Sequence, residues 1–230
     1  MALPKHIRPE YSTTVPSTGK RIKYQPFTVK EEKVLVLAAE SQDSDEIVNA
    51  IQNVLRNCIS SPADFDVRSL ALFDIEYLFL KTRSKSAGEK LKLRVTDPDD
   101  PTFTVDHEIN IDKVTIARSE DHTNMIDLGN DVIIKMNYPD VSFFNEGVST
   151  SDISSAINLI AKLVDQIVIG EEVYSKEEMN ESEVMEWLEG LTTENFKKVT
   201  NFFDTMPQLK HSFTIRNTNT DKDFTITPRS

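Results

Sequence analysis

With 38 acidic against 26 basic residues, the 230-residue chain has a net charge of −12, which argues against a protein that mainly grips nucleic-acid phosphate, because Lys and Arg supply most of that affinity. Its 38% hydrophobic and 28% charged composition, with six glycines and ten prolines, is that of a globular chain long enough for one large domain or two small ones. A single cysteine, Cys58, excludes an internal disulfide and, with four scattered histidines, offers no zinc-type cluster; no apolar run nears the roughly 18 residues of a membrane span and no signal-peptide core is evident, so the chain is expected to be intracellular when made.

Residues 1–26 contain Pro4, Pro9, Pro16 and Pro26 and read as an extended arm. Within it the alternation Lys20-Arg21-Ile22-Lys23-Tyr24 after the Thr18-Gly19 turn suits one strand of a small hairpin. Ser17-Thr18-Gly19-Lys20 is not a phosphate loop, because no second glycine stands upstream and Arg21 replaces the Ser or Thr that would reach a metal.

Residues 27–90 read as helical. Thr28 and Glu31 form a capping box that opens a helix ending near Ser41, and Asp43 caps a second one whose face is Ile47, Ile51, Val54, Leu55, Cys58 and Ile59. Cys58 is expected as a small core residue, since no basic group or helix start stands near it to depress its pKa. Ser60-Ser61-Pro62 ends this helix. Ser69 is the expected cap of a third, in which Asp74 and Glu76 are the only clearly polar residues from Leu70 to Leu80. A helix so apolar must be covered on several sides, which makes it the centre of the fold. Lys81, Arg83 and Lys85 follow at its carboxyl end, where cations complement the helix dipole. They read as a solvated surface or as an anion or partner contact. Gly88 is the expected terminator.

Residues 91–140 change period to that of strands: Leu91, Leu93 and Val95, then Phe103 and Val105, Ile109 and Ile111, Val114 and Ile116. Asp97 to Pro101 is a turn, and Pro98 and Pro101 occupy positions where a calcium loop needs spaced ligands and a glycine. Asp127 to Asn130 is another turn before Asp131 to Met136. His107 and His122 are expected at the surface. Residues 141–207 are helical again: Ser151 or Asp152 caps a helix with Ile153, Ile157, Ile160, Val164, Ile167 and Val168 on one face, closing near Gly170. Asn180 opens a short helix with Val184, Trp187 and Leu188, stopped at Gly190, and Thr193 caps another with Phe196, Val199, Phe203 and Met206. Trp187 and the phenylalanines read as core or as a partner groove. Residues 208–230 form a hairpin with Phe213, Ile215, Phe224 and Ile226 on one face, which must pack on the body or on a partner, and whose edge can recruit another chain by strand addition.

The predicted fold is α+β: a helical body of about six helices, a small central mostly antiparallel sheet and a C-terminal β-hairpin, with residues 27–230 as one compact unit or two. Charge is uneven along it. The first thirty residues carry Lys5, Arg8, Lys20, Arg21, Lys23 and Lys30 against Glu10 alone, whereas Glu171 to Glu189 holds eight glutamates against Lys176. These regions are two solvated faces, or they steer a partner or attract one another.

FTVKEEKVL at Phe27–Leu35, FDIEYLFLKTRSKSAGE at Phe73–Glu89, NYPDV at Asn137–Val141 and LTTENFKKVTNFFDTMPQLKH at Leu191–His211 together resemble the baseplate hub assembly proteins of T-even-type contractile-tailed bacteriophages. The resemblance implies a viral protein that helps to build the hub by binding other hub and tail proteins, the tape-measure protein among them, in the cytoplasm of the infected host or within the virion baseplate. It implies no catalytic residue, cofactor, metal, nucleic acid, membrane or small-molecule ligand. A transient chaperone absent from the finished virion is the alternative of the same kind. A hydrolase using Asp or Glu with His107 or His122 is the alternative of another, although no spacing predicts that an acid and a base converge. Nucleic-acid binding through the basic arm lacks a recognisable module. Lys81, Arg83 and Lys85, with Phe213 and Ile215, are the expected partner contacts. The resemblance also implies that some relatives carry paired cysteines in the terminal hairpin and near the turn around Asp97; here Asn217 to Lys222 and Thr96 to Pro101 contain none, so turn chemistry and packing are expected to hold both.

Overall fold

The computed structural model describes residues 6–141 and 153–227, and the chain divides into two units, residues 1–117 with 208–230 and residues 118–207. In the first unit the alternation near the amino terminus becomes β1 (Tyr11–Thr14) and β2 (Arg21–Tyr24), paired antiparallel, with Ile22 and Tyr24 on the buried face. β2 also pairs with β3 (Ile59–Ser61), so the stretch expected as an extended arm contributes two strands of a three-stranded sheet. Helix α1 (Val29–Ser41) opens on the Thr28–Glu31 capping box, and α2 (Ser44–Cys58) on Asp43, whose side chain accepts from the amides of Asp45 and Glu46. The α2 face buries Ala50, Val54, Leu55 and Cys58, whereas α1 leaves Val29, Val34, Val36 and Leu37 exposed.

The central helix is α3 (Leu72–Ala87), which buries Phe73, Ile75 and Leu78 and ends at Gly88, at φ +96. Its cap position is Ala71, not Ser69, because Ser69 closes a preceding 3-10 turn and its hydroxyl donates to the carbonyl of Asp66. Asp74, on the buried side, accepts from the backbone amide and hydroxyl of Ser17, which ties the β1–β2 turn to the helix. Burial pushes its carboxyl above the usual range, against the pull of the Ser17 hydrogen bonds. Strands β4 (Lys90–Asp97) and β5 (Asp100–Asn110) form a long hairpin, and the short apolar pieces around Phe103 and Ile109 prove to be one strand. β6 (Thr115–Ala117) follows.

The second unit holds a four-stranded antiparallel sheet with β7 (Met125–Gly129), β8 (Val132–Met136), β9 (Val164–Ile169) and β10 (Glu172–Ser175), in the order β10-β9-β8-β7. Helices α4 (Ile153–Leu163), α5 (Glu181–Glu189) and α6 (Thr193–Thr205) complete it. The expected caps Ser151 and Asp152 lie outside the described residues. The helix expected to run to Gly170 stops at Leu163, and the reason is a bulge. Lys135 faces Gln166 and Met136 faces Val164, so Asp165 is an extra residue on β9. The extra residue brings Val164 and Ile167 to the same buried side, and a three-residue spacing in a strand then imitates a helix. Asn180 and Glu183 form the capping box of α5, and Thr192, one residue before the expected Thr193, caps α6. Ile134, Met136, Val164, Leu188, Val199 and Phe202 are among the most buried residues of this core.

Returning to the first unit, β11 (Gln208–Lys210) pairs with β6, and β12 (Phe213–Asn217) pairs with β13 (Lys222–Ile226) as the terminal hairpin. Phe213 and Leu209 pack on a cluster of Ile109, Ile111 and Val114. The fold is α+β, with six helices and several small antiparallel sheets among the described residues.

Candidate partner-binding surfaces

Lys81 and Lys85 lie one turn apart on α3, on the same face, and they converge on Asp112. The Lys85 ammonium donates to Asp112 Oδ2 at 3.0 Å and to Glu89 at 2.6 Å, Lys81 donates to the Asp112 carbonyl at 3.3 Å, and the Ser84 hydroxyl donates to Asp112 Oδ1 at 2.8 Å. Burial raises the Asp112 carboxyl, but the hydrogen bonds from Lys85 and Ser84 outweigh it and hold the group at about 2. Glu89 and Asp112 in turn raise the pKa of Lys85. Lys81 also stands 5.4 Å from the Tyr77 ring and Lys85 5.9 Å from that of Tyr11. Arg83, two residues along, faces another way: it is half-buried, and its Nη1 is enclosed without a hydrogen-bond partner among the described residues. The basic triplet is thus two cations engaged within the chain and a third set apart.

Phe213 lies flat on the His107 ring, with centroids 4.4 Å apart and planes 12° from parallel. Ile215 is half-buried opposite Phe224, whose ring meets Phe103 edge-on at 6.1 Å. The apolar face of the terminal hairpin therefore packs on the β4–β5 hairpin. The turn of the terminal hairpin and the turn before β5 meet through amides and carboxylates: Asn217 Nδ2 donates to Asp97 at 2.6 Å and to Asp100 at 3.2 Å, and Asn219 Nδ2 donates to Asp100 at 3.3 Å.

Neither histidine is a plain surface residue. His107 is half-buried beneath Phe213. His122 is only 5% exposed, with Nδ1 2.9 Å from the Thr205 hydroxyl and Nε2 2.9 Å from that of Tyr138. A loop position between strands gave no sign of this burial, in which Tyr138 stacks on the ring and Phe202 leans against it at 33°. Both ring nitrogens are taken by hydroxyls, so the His122 side of the acid–base pairing considered above is not assembled. Among the described residues no group of three or more His, Cys, Asp or Glu is placed to hold a metal ion, and no helix is long and apolar enough to cross a membrane.

Among the hollows of the described residues, two bear on partner binding. In the first unit one of about 310 Å³ is lined by Val15, Pro16, Tyr77, Lys81, Asp112 and Ile116. In the second, one of about 290 Å³ lies between the β9–β10 face and α5, lined by Ile167, Ile169, Tyr174, Met179, Val184 and Trp187, with Glu183. Apolar residues interspersed in the glutamate-rich run 171–189 were the sequence signal for the second hollow, but helical spacing equally described a core stripe. Charge separates by unit as well: the first has 20 basic and 20 acidic residues, the second 6 and 18, so the whole net charge belongs to the second.

The model of a protein family described as T4 bacteriophage base plate protein matches residues 8–230. No curated protein and no solved structure matches the chain.

Proposed function

The chain belongs to the T4 bacteriophage base plate protein family, and on that premise we propose that it acts without enzymatic chemistry, at the hub of the baseplate, by binding other hub and tail proteins, the tape-measure protein being a candidate. The observation that carries this reading beyond the family is a set of large apolar side chains left in solvent on separate surfaces: Val29, Val36 and Leu37 on α1, and Ile169, Val173 and Tyr174 on the β9–β10 hairpin. Grouped exposed apolar residues are the mark of protein contact surfaces. The cytoplasm of the infected bacterium is where such contacts would form.

Mass spectrometry of purified virions alongside tail-assembly intermediates tests the reading. A permanent hub subunit is expected in both fractions. Recovery only from intermediates would make the chain an assembly chaperone with a releasable interface. Absence from both would refute a role in the tail.

A further inference from the structure

Strand β10 is an edge: among the described residues it pairs with β9 alone. Its outer backbone groups are a ready template for another strand. Beside this edge the hollow against α5 presents an apolar floor, in which Ile169 and Tyr174 remain 40% and 41% exposed. Tyr174 and Ile167 are register partners on the face that looks towards α5, and Trp187 and Val184 close the other side. Its charge has one sign. Glu183 lines the hollow, Glu172 accepts from the Tyr174 hydroxyl, and eight glutamates fall within Glu171 to Glu189. The sole lysine of that run, Lys176, is drawn away to the carbonyl of Lys162 at 2.9 Å.

We propose that β10 and the hollow beside it form a docking site for an extended segment of a partner protein whose face towards α5 carries apolar side chains flanked by Lys or Arg. The segment adds to the open edge of β10. On that face its apolar side chains enter between Tyr174 and Trp187, and the flanking cations meet Glu172 and Glu183, which lie on the same side as Tyr174. An acidic segment is excluded by repulsion, and a purely polar one leaves the apolar floor in water. A basic partner also suits a unit with 18 acidic and 6 basic residues, which speeds encounter with cations. This inference rests on the reading that the chain works by binding other tail proteins, and it specifies the chemistry of one such partner.

The chain has one tryptophan, Trp187, and it lines the hollow, so its emission reports occupancy. Three synthetic nonapeptides, each with Thr at the even positions, serve as probes on the intact protein: one with Lys, Val, Val, Val and Lys at the odd positions, one with Ser in place of Val and one with Glu in place of Lys, called Lys–Val, Lys–Ser and Glu–Val after those residues. The Lys–Val peptide is expected to shift Trp187 emission saturably, with the affinity falling as salt rises. N-methylation of alternate amides in that peptide should abolish the effect by blocking strand addition. The pair Glu172→Lys with Glu183→Gln, the second removing the charge while keeping an acceptor for the Asn180 amide that Glu183 caps, should weaken it about tenfold, with circular dichroism unchanged. Equal responses to Lys–Val and Lys–Ser, or to Lys–Val and Glu–Val, overturn the proposal.

In infected cells a photo-crosslinking residue in place of Tyr174, with a second at Leu37 as reference, separates this proposal from the functional reading beneath it. A cross-link from position 174 to a Lys- or Arg-bearing segment of a tail protein supports the site. Cross-links to tail proteins from position 37 alone overturn the site and leave the wider reading standing. Cross-links to tail proteins from neither position count against both.

Discussion

Asn217 and Asp97 lie 120 positions apart in the chain, yet the amide of one donates to the carboxylate of the other at 2.6 Å, with Asn217 fully buried and Asp97 4% exposed. The Asn217 carbonyl oxygen meanwhile accepts from the amides of Asn219 and Thr220, so one side chain both shapes its own turn and clasps the turn before β5. Replacing Asn217 by Ala leaves a buried carboxylate and two amides short of partners. We expect a loss of about 1–3 kcal/mol in urea unfolding. Asn217→Asp should cost more at pH 7, because a third carboxylate then faces Asp97 and Asp100, and it should recover as the pH falls.

His122 sets a second test. The Thr205 hydroxyl donates to the Asn201 carbonyl at 2.7 Å, so towards His122 it accepts from Nδ1–H, which leaves Nε2 to accept from Tyr138. This is a neutral imidazole, and burial, helped by Arg118, lowers its pKa below 6.5. The unfolded chain therefore takes up a proton more readily than the folded one. The His122 contribution is whole above the unfolded value near 6.5 and is lost as the pH falls below it. Unfolding of the second unit, followed by Trp187 emission, should shift to lower urea between pH 7 and 5. His122→Phe should remove that dependence and cost roughly 1–2 kcal/mol at pH 7.

Cys58 is 1% exposed on the buried face of α2, and burial pushes its thiol up to about 11. A thiol reagent that needs thiolate should find none in the native protein at pH 8 and one equivalent after unfolding. Fast native labelling would show that α2 opens far more readily than its packing implies.

Local chemistry accounts for what could be read in advance. The capping pairs Thr28–Glu31 and Asn180–Glu183 each lie within four residues, and helix starts at both follow from them. Cys58 falls on an apolar face whose spacing is unambiguous. The α4–β9 boundary was not legible, because the extra residue Asp165 exists only in relation to Lys135 and Met136 on another strand. Nor was the engagement of Lys81 and Lys85, which depends on Asp112 arriving from beyond a hairpin. The hollow beside β10 was legible as composition but not as position: Tyr174 and Trp187 belong to separate elements, and only the sheet's edge makes them neighbours.

The Lys85–Asp112 pair yields the final prediction, which has the same sign as that of His122 but the opposite cause: here partners hold the charged form, whereas burial of His122 disfavours it. Asp112 is held at about 2 in the folded chain, against an ordinary value of 3.8. Its stabilising contribution is complete above pH 4 and disappears as the pH falls through 2. The carboxylate is 29% exposed and Lys85 26%, so solvent screening reduces the effect to about 1 kcal/mol. Urea unfolding of the wild type should therefore weaken between pH 4 and 2, and Asp112→Asn should flatten that interval. Lys85→Met leaves the Asp112 carboxylate with burial, the Ser84 hydroxyl and the Lys81 ammonium at 3.9 Å, outside hydrogen-bond range, and the loss of the Lys85 hydrogen bond raises the folded pKa and shrinks the same acid-dependent loss. If Lys85→Met instead kept the full pH dependence, Lys81 and Ser84 would be sufficient to hold the carboxylate, and Lys85 would be available at the surface as a partner contact.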